Sequence, residues 1–239
     1  MAIPASARSY SPATTQTTHL LNQQANLTFP PTEDRGAPSR TRGSGSRGPC
    51  GDGSDSALSD IALTALMPAN NIGTTISSHP AVYVYVPKTS GKSAEFTLYN
   101  WTTRERAAVY EAQVPVANLS GIVKIPLPET VNLEPENTYV WVFSIVCNAQ
   151  DRSQDQYVSG WIERVSLKSD QQATIEDTQQ PSEKAALYAS AGIWHETLEI
   201  LEQLRSTDPQ IWRTFLDSVG LGEISEQQVI ECCQSQSSL

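Results

Sequence analysis

The segment from Leu133 to Cys147 most constrains the fold of this 239-residue chain. It begins with Leu-Glu-Pro-Glu-Asn-Thr, and Tyr139 then opens the apolar run Tyr-Val-Trp-Val-Phe-Ser-Ile-Val-Cys. Leu-x-Pro shortly before such a tyrosine is typical of a tyrosine corner, in which the ring packs inward and the hydroxyl bonds to the backbone upstream. We therefore predict that Tyr139 and Leu133 are structural residues at a corner of a two-sheet β-sandwich.

Residues 57–168 have the pattern of one β-sandwich domain, because short runs of Val, Ile, Tyr and Thr alternate with turn residues. The fold class predicted is mainly β: an immunoglobulin-like or fibronectin-like antiparallel sandwich with a helical C-terminal part. Both faces of the strand after Tyr139 are apolar, which predicts a central strand covered on both sides. The predicted strands lie near residues 61–66, 72–77, 81–86, 94–100, 107–113, 121–127, 138–147 and 157–167.

Residues 1–56 are rich in Ser, Thr, Gln, Pro, Gly and Arg, which predicts a disordered arm. Near its start, Ala5-Ser6-Ala7 has the shape of a signal-peptidase site, without a charged or apolar region before it. Two interpretations stay open, the remnant of a signal peptide and an ordinary Ala-rich terminus. The four arginines between Arg35 and Arg47 are nearly neutralised by flanking acids, which favours a solvated linker over a nucleic-acid-binding arm.

The C-terminal part changes to a helical period. We predict a polar linker over 169–180 and an acidic helical cap over 181–239 that packs on the sandwich. Helix starts are expected at Pro181 and at Asp208-Pro209, and Ser225 is expected to cap a last short helix that runs to Cys232. From residue 169 onward the chain has twelve acidic and three basic residues, so most of the net charge of −10 lies here.

Within this part, Ala185-x-x-Tyr188-x-x-x-Gly192-x-Trp194-x-x-Thr197 resembles a single tetratricopeptide repeat. Gly192 would make the turn, and Trp194 would fill the space beside the paired helices. A single repeat cannot bury its own apolar face. The alternatives are a plain helical hairpin docked on the sandwich and part of a peptide-binding groove.

Several separate motifs, in order along the chain, resemble one family. They are Arg47-Gly-Pro-Cys50, Leu63-Thr-Ala-Leu66-Met-Pro68, Val84-Tyr-Val-Pro87, Ile125-Pro-Leu-Pro-Glu129, Phe143-Ser-Ile-Val-Cys147-Asn and Gly160-Trp161-Ile-Glu-Arg164-Val. Over roughly residues 47–233 the chain resembles the cyanobacterial family called domain of unknown function 928. The resemblance implies this architecture and a tendency to export, since members often begin with a signal peptide, and it implies no activity. A periplasmic or extracellular location is therefore expected, with the cytoplasm as the alternative.

The four cysteines are Cys50, Cys147, Cys232 and Cys233. Their spacing does not fit a zinc site, and the three histidines are scattered, so no metal and no cofactor are predicted. A Cys50–Cys147 disulfide would tie the arm to the central strand and would need an oxidising compartment. Four reduced thiols in a cytosolic protein are the alternative.

Two groups of residues are candidates for a functional surface. Tyr99, Trp101 and Tyr110 lie around a charged loop, where aromatic side chains can bind a glycan or a protein, or can belong to the core at strand ends. Asp151, Arg152 and Asp155 lie in the loop after the central strand, which is either functional or an ordinary hairpin turn. No nucleophile-elbow or phosphate-loop motif is present, so no catalytic residue is predicted.

Composition limits the classes of partner. A net charge of −10 and a pI near 4.7 disfavour nucleic acid, and the longest apolar run is too short for a membrane-spanning helix. We predict a non-enzymatic interaction or structural module that binds an unknown protein or a glycan. The alternative is a hydrolase or a carbohydrate-active or carbohydrate-binding protein that uses the loop from Asp151 to Asp155 and the Trp101 region.

Overall fold

The computed structural model describes residues 27–37, Cys50, 61–103, 107–117 and 119–232. Within these ranges the chain forms nine strands and four helices, and all four helices follow the eighth strand. The strands are β1 (Thr64–Ala65), β2 (Ile72–Thr75), β3 (Ala81–Val86), β4 (Ser93–Asn100), β5 (Ala108–Pro115), β6 (Gly121–Pro126), β7 (Thr138–Val146), β8 (Gln156–Arg164) and β9 (Val229–Glu231). The helices are α1 (Ser169–Asp177), α2 (Pro181–Ser190), α3 (Trp194–Leu204) and α4 (Pro209–Ser218).

The strands form two sheets in a β-sandwich-like arrangement. One has four strands in the order β1-β3-β6-β9, and the other has five in the order β2-β8-β7-β4-β5. Most neighbouring strands are antiparallel, but β2 pairs with β8 and β6 pairs with β9 in parallel. The sheets are therefore mixed, which corrects the prediction of a purely antiparallel sandwich. In each of these two parallel pairs the strands are far apart in the chain, so no local sequence pattern predicts the pairing.

The first core lies between the two sheets. Along β7, alternate residues from Tyr139 to Ile145 are buried in this core. Val140 and Val142 point to the opposite face of the sheet and are only half-buried. The strand is central, with β4 and β8 as neighbours. The prediction that both its faces are covered is wrong, because the helices pack on the other sheet.

The second core lies between the four-stranded sheet and the helices. All six residues of β3 are buried, because its valines face the first core while Tyr83 and Tyr85 face the helices. Trp194, Trp212 and Phe215 fill this second core from the helical side. The protein thus has three layers: the five-stranded sheet, the four-stranded sheet and the helices.

Polar contacts fix the start of α3 to the end of β2. The Glu196 carboxylate accepts hydrogen bonds from the Thr75 hydroxyl at 2.7 Å and from the Ile76 and Ser77 N–H groups at 2.9 Å. The backbone of β2 comes so close to the helix that a Cβ atom on Gly73 would lie 2.5 Å from His195 Nε2. A larger residue at position 73 would therefore separate the helix from the strand.

Three segments differ from the sequence-based expectations. Residues 169–177, expected as linker, form α1, because Ile175 is buried against Tyr188 and Ile193. The segment expected as a last helix instead makes a short 3-10 turn at Gly222–Ile224 and then β9. In the expected disordered arm, Leu27 is buried and the Phe29 ring lies 5.0 Å from that of Trp194. Apart from residues 27–37 and Cys50, that arm lies outside the described residues.

Candidate functional site

The outer face of the five-stranded sheet carries a row of large side chains. The register aligns Tyr99 of β4 with Val140 of β7, and Val140 with Trp161 of β8. Aligned residues on neighbouring strands direct their side chains to the same face, so the three form a straight row across the sheet. With strands about 4.8 Å apart, Tyr99 and Trp161 lie roughly 10 Å apart along this row.

Trp101 extends this row and is its most exposed member. The side chain is 55% exposed, and its ring centre lies 6.0 Å from that of Trp161 at an interplanar angle of 37°. Its backbone N–H donates to the Thr138 carbonyl at 2.9 Å, which holds the residue against the end of β7. The Trp161 Nε1 atom is enclosed and has no hydrogen-bond partner. We call Tyr99, Trp101, Val140 and Trp161 the aromatic row.

Polar groups surround the aromatic row. Thr102 Oγ1 accepts from the Thr138 N–H at 2.8 Å, and Asn100 Oδ1 accepts from the Thr103 N–H at 3.1 Å. Asn100 accepts through its Oδ1 atom, so this bond does not use its side-chain NH2 group. Glu163, two residues beyond Trp161 on β8, forms a 2.7 Å ion pair with Arg35. Among the described residues, the polar groups next to the row are thus an amide, a hydroxyl and a neutralised ion pair.

The loop from Asp151 to Asp155 lies at the opposite end of the same face. The Arg152 guanidinium donates to Glu95 at 2.7 Å and also to Asp155, whose carboxylate in turn accepts from the Cys147 N–H at 3.1 Å. These two carboxylates raise the pKa of Arg152 above its usual value. Glu95 lies four residues before Tyr99 on β4, which places the loop roughly 13 Å from the aromatic row.

Asp151 has a local structural role in this loop. It accepts from the Ser153 hydroxyl at 2.5 Å, the Ser153 N–H at 3.1 Å and the Gln154 side-chain amide at 3.2 Å, and so caps the short 3-10 turn that follows. These hydrogen bonds hold the pKa of the Asp151 carboxyl below its usual value. Each carboxylate of the loop is therefore already an acceptor in bonds that shape the turn.

The structure separates Tyr110 from the other two predicted aromatic residues. Its ring lies 6.1 Å from that of Phe96, at the rim of the core between the sheets. Tyr99 and Trp101 lie on the outer side of the same sheet. The charged loop expected between them, Arg104 to Arg106, lies outside the described residues. Trp161, which the sequence analysis did not select, takes the place of Tyr110.

The residues predicted to be structural lie in the following places. Leu133 is fully buried, and the Tyr139 hydroxyl accepts from the Glu134 N–H at 2.9 Å. Gly192 has a left-handed backbone with φ of +74°, and Trp194 is fully buried. Cys50 and Cys147 are joined by a disulfide, and the Ser90 hydroxyl donates to the Cys50 carbonyl at 2.6 Å.

Two further ionisable groups are buried where the helices meet the four-stranded sheet. His195 is enclosed, with Nδ1 2.9 Å from the Ala81 carbonyl, and burial lowers its pKa to about 4. The Lys124 amine lies 3.3 Å from Glu202 and 5.9 Å above the Tyr83 ring. Among the described residues no three acidic, His or Cys side chains are arranged to hold a metal ion.

These features define a β-sandwich-like protein with one sheet covered by helices and the other carrying an open aromatic row. A family model matches residues 42–229, and the chain belongs to that family, Domain of Unknown Function (DUF928). A comparison with curated proteins finds no match. None of the helices in the described ranges has the length and apolar character required to cross a membrane.

Proposed function

We propose that this protein is a non-enzymatic interaction module that binds its partner through the aromatic row. The observation that carries the proposal is the exposed Trp101 ring lying against Trp161, on a sheet face that no helix of the described ranges covers. Tryptophan and tyrosine supply a large share of binding energy at interfaces, because a rigid ring gives much contact area at a small cost in entropy. The four-stranded sheet has no comparable open face, since helices cover it.

Hydrolysis through the loop from Asp151 to Asp155 is the weaker alternative. A hydrolase of this kind needs carboxylates that are free to exchange protons with a substrate. Here Arg152 binds Glu95 and Asp155, and Asp151 caps its own turn. If the loop were catalytic, the purified protein would hydrolyse a substrate. Asp151→Asn and Asp155→Asn would then abolish this hydrolysis.

We also propose that the sandwich is immunoglobulin-like. The bond from the Glu134 N–H to the Tyr139 hydroxyl supports this assignment, since it has the form of a tyrosine corner. For α2 and α3 we propose a tetratricopeptide-like hairpin that serves as a cap and not as a peptide groove. The Trp194 ring supports this role, because its Nε1 donates to the Leu66 carbonyl of the sandwich at 3.1 Å.

We propose a periplasmic or extracellular location. The Cys50–Cys147 disulfide supports it, since structural disulfides persist in oxidising compartments. Mass spectrometry of non-reduced peptides from protein recovered from its native cells tests the proposal. We expect a linked Cys50–Cys147 peptide, and a free Cys50 thiol would count against export.

Hydroxyl-radical footprinting tests the proposed binding face. The purified protein is oxidised with and without cell-envelope material from its native source, and the oxidation of single residues is measured. We expect slower oxidation of Trp101 and Tyr99 in the presence of the material. Ile211, which is partly exposed on α4 in the helical layer, serves as the internal control. Unchanged oxidation of Trp101 would refute the proposed face.

A further inference from the structure

We infer that the ligand of the aromatic row is a neutral, extended, β-linked glycan chain. This inference rests on the proposed function and names the class of partner. It follows from three properties of the row: the spacing of its rings, the chemistry around them and the charge of the face.

The first property is spacing. Tyr99 and Trp161 are aligned through Val140, two strands apart, so their positions on the face lie roughly 10 Å from each other. This distance is close to the length of two pyranose units in an extended β-linked chain. Alternate sugars of such a chain present the same face, so one sugar can contact Tyr99 and the next but one can contact Trp101, whose ring lies against Trp161. A flat ribbon also suits an open sheet face, whereas a compact ligand would need a concave pocket.

The second property is the chemistry of the row. A pyranose ring has an apolar C–H face that packs on an aromatic ring, and hydroxyl groups at its edge that need hydrogen-bond partners. Trp101 offers a ring face that is 55% exposed and is held in place by Trp161 beneath it. Asn100 and Thr102, the neighbours of Trp101 in the chain, supply an amide and a hydroxyl at this end of the sheet.

The third property is charge. On this face, the cation Arg152 is paired with Glu95 and Asp155, and Arg35 is paired with Glu163. Both arginines are therefore already engaged in ion pairs and are not free to bind an anionic ligand. A neutral chain is favoured over uronic-acid or sulfated polysaccharides, whose recognition needs basic side chains.

Binding is tested with the full chain and defined polysaccharides. Microcrystalline cellulose is used in a pull-down, and cellohexaose is titrated by calorimetry and by tryptophan fluorescence. Alginate is the anionic probe, and amylose is the neutral probe with a helical shape. The variants are Trp101→Ala and Tyr99→Ala, with Gln210→Ala as the control because Gln210 is exposed on α4, in the helical layer and not on the sheet that carries the row.

We expect binding to cellulose and cellohexaose, and weaker or no binding to alginate and amylose. Trp101→Ala should weaken cellohexaose binding at least about tenfold through the lost stacking surface, while Gln210→Ala should leave it unchanged. Equal affinity of the wild type and Trp101→Ala would overturn the inference, as would binding of alginate alone. If no glycan binds but envelope material still protects Trp101 from oxidation, the glycan inference fails and the proposed binding face stands. If neither occurs, both fail.

Discussion

Tyr139 shows how one side chain links the core to a loop. Its ring is buried between the sheets, and its hydroxyl accepts the Glu134 N–H at 2.9 Å. We expect Tyr139→Phe to lower the free energy of unfolding by about 0.5–1.5 kcal/mol, because only this hydrogen bond is lost. Tyr139→Ala should cost about 3–5 kcal/mol through the cavity it leaves. Chemical denaturation measures both, and Tyr99→Phe on the outer face is the control, expected within about 0.5 kcal/mol of wild type.

His195 makes stability depend on pH. In the unfolded chain the imidazole gains a proton below its ordinary pKa of about 6.5. In the folded protein burial lowers that pKa to about 4, so the ring stays neutral over the interval between the two values. The unfolded state thus binds more protons there, and stability should fall by roughly 3 kcal/mol as pH drops from about 6.5 to about 4.

A variant isolates this contribution from that of other groups. Glu196, next to His195, acts in the opposite direction, because burial raises its pKa and favours the folded state when the carboxyl is protonated. His195→Asn keeps a donor toward the Ala81 carbonyl and removes the titration. The free energy of unfolding, measured at several pH values, should therefore fall less steeply with acid in His195→Asn than in wild type. Parallel curves would show that His195 is not enclosed as a neutral ring.

At the scale of elements, Lys124 connects β6 to both α3 and β9. Its amine lies within 4 Å of three carboxylates. Glu202 at 3.3 Å and Glu199 at 3.9 Å belong to α3, and Glu231 at 3.7 Å belongs to β9. We expect Lys124→Gln to destabilise the protein by about 1–2 kcal/mol, between the values for exposed and buried ion pairs. The loss should be larger at low salt, since the carboxylates then repel one another without screening.

The same denaturation measurements, made at low and at high salt, provide the check. Lys184→Gln, on α2, is the control because no carboxylate partner of Lys184 is described, and it should change stability by less than about 0.5 kcal/mol. A salt-independent loss in Lys124→Gln would mean that packing of the lysine stem, and not charge, holds these elements together.

Local patterns predict elements well where a segment is rich in apolar residues, and poorly elsewhere. The strands β3 and β7 match their predicted ranges closely, because large apolar residues alternate with smaller ones along them. In contrast, β9 has three residues and exists only through its pairing with β6, and α1 has a single buried residue, Ile175. Neither contains enough apolar residues to be recognised without its partner.

The candidate site could be predicted only in part, because some of its members come together through strand pairing and not through proximity in the sequence. Tyr99 and Trp101 are close in sequence, so their proximity can be predicted from the sequence. Trp161 joins them through the pairing of β7 with β8 and of β7 with β4, which depends on the register of three strands. The alternation along β8 places Tyr157 and Trp161 on one face, but it does not reveal that this face is the uncovered one. Tyr110 was grouped by proximity and lies on the inner side.

At the scale of the whole molecule, the helices and the sandwich depend on each other. The second core combines Trp212 and Phe215 from α4 with Tyr83 and Tyr85 from β3. We expect a fragment of residues 181–239 to show no cooperative thermal transition, because without the sheet these apolar side chains lack the surface that buries them. Circular dichroism during heating tests this, with the full chain as the control. A sharp transition in the fragment would make the helical part an independent domain.

The two parallel pairings set the pace at which this protein can fold. Ile72 aligns with Trp161 and Ile122 with Val229, so these pairs close loops of about 90 and about 110 residues. Such non-local contacts form late, which places refolding in the millisecond-to-second range and not in the microsecond range of helical proteins. Until β9 arrives, β6 has an unpaired edge that a neighbouring chain can occupy. Refolding yield should therefore rise as the protein is diluted, and intermolecular β-pairing should be the main competing reaction.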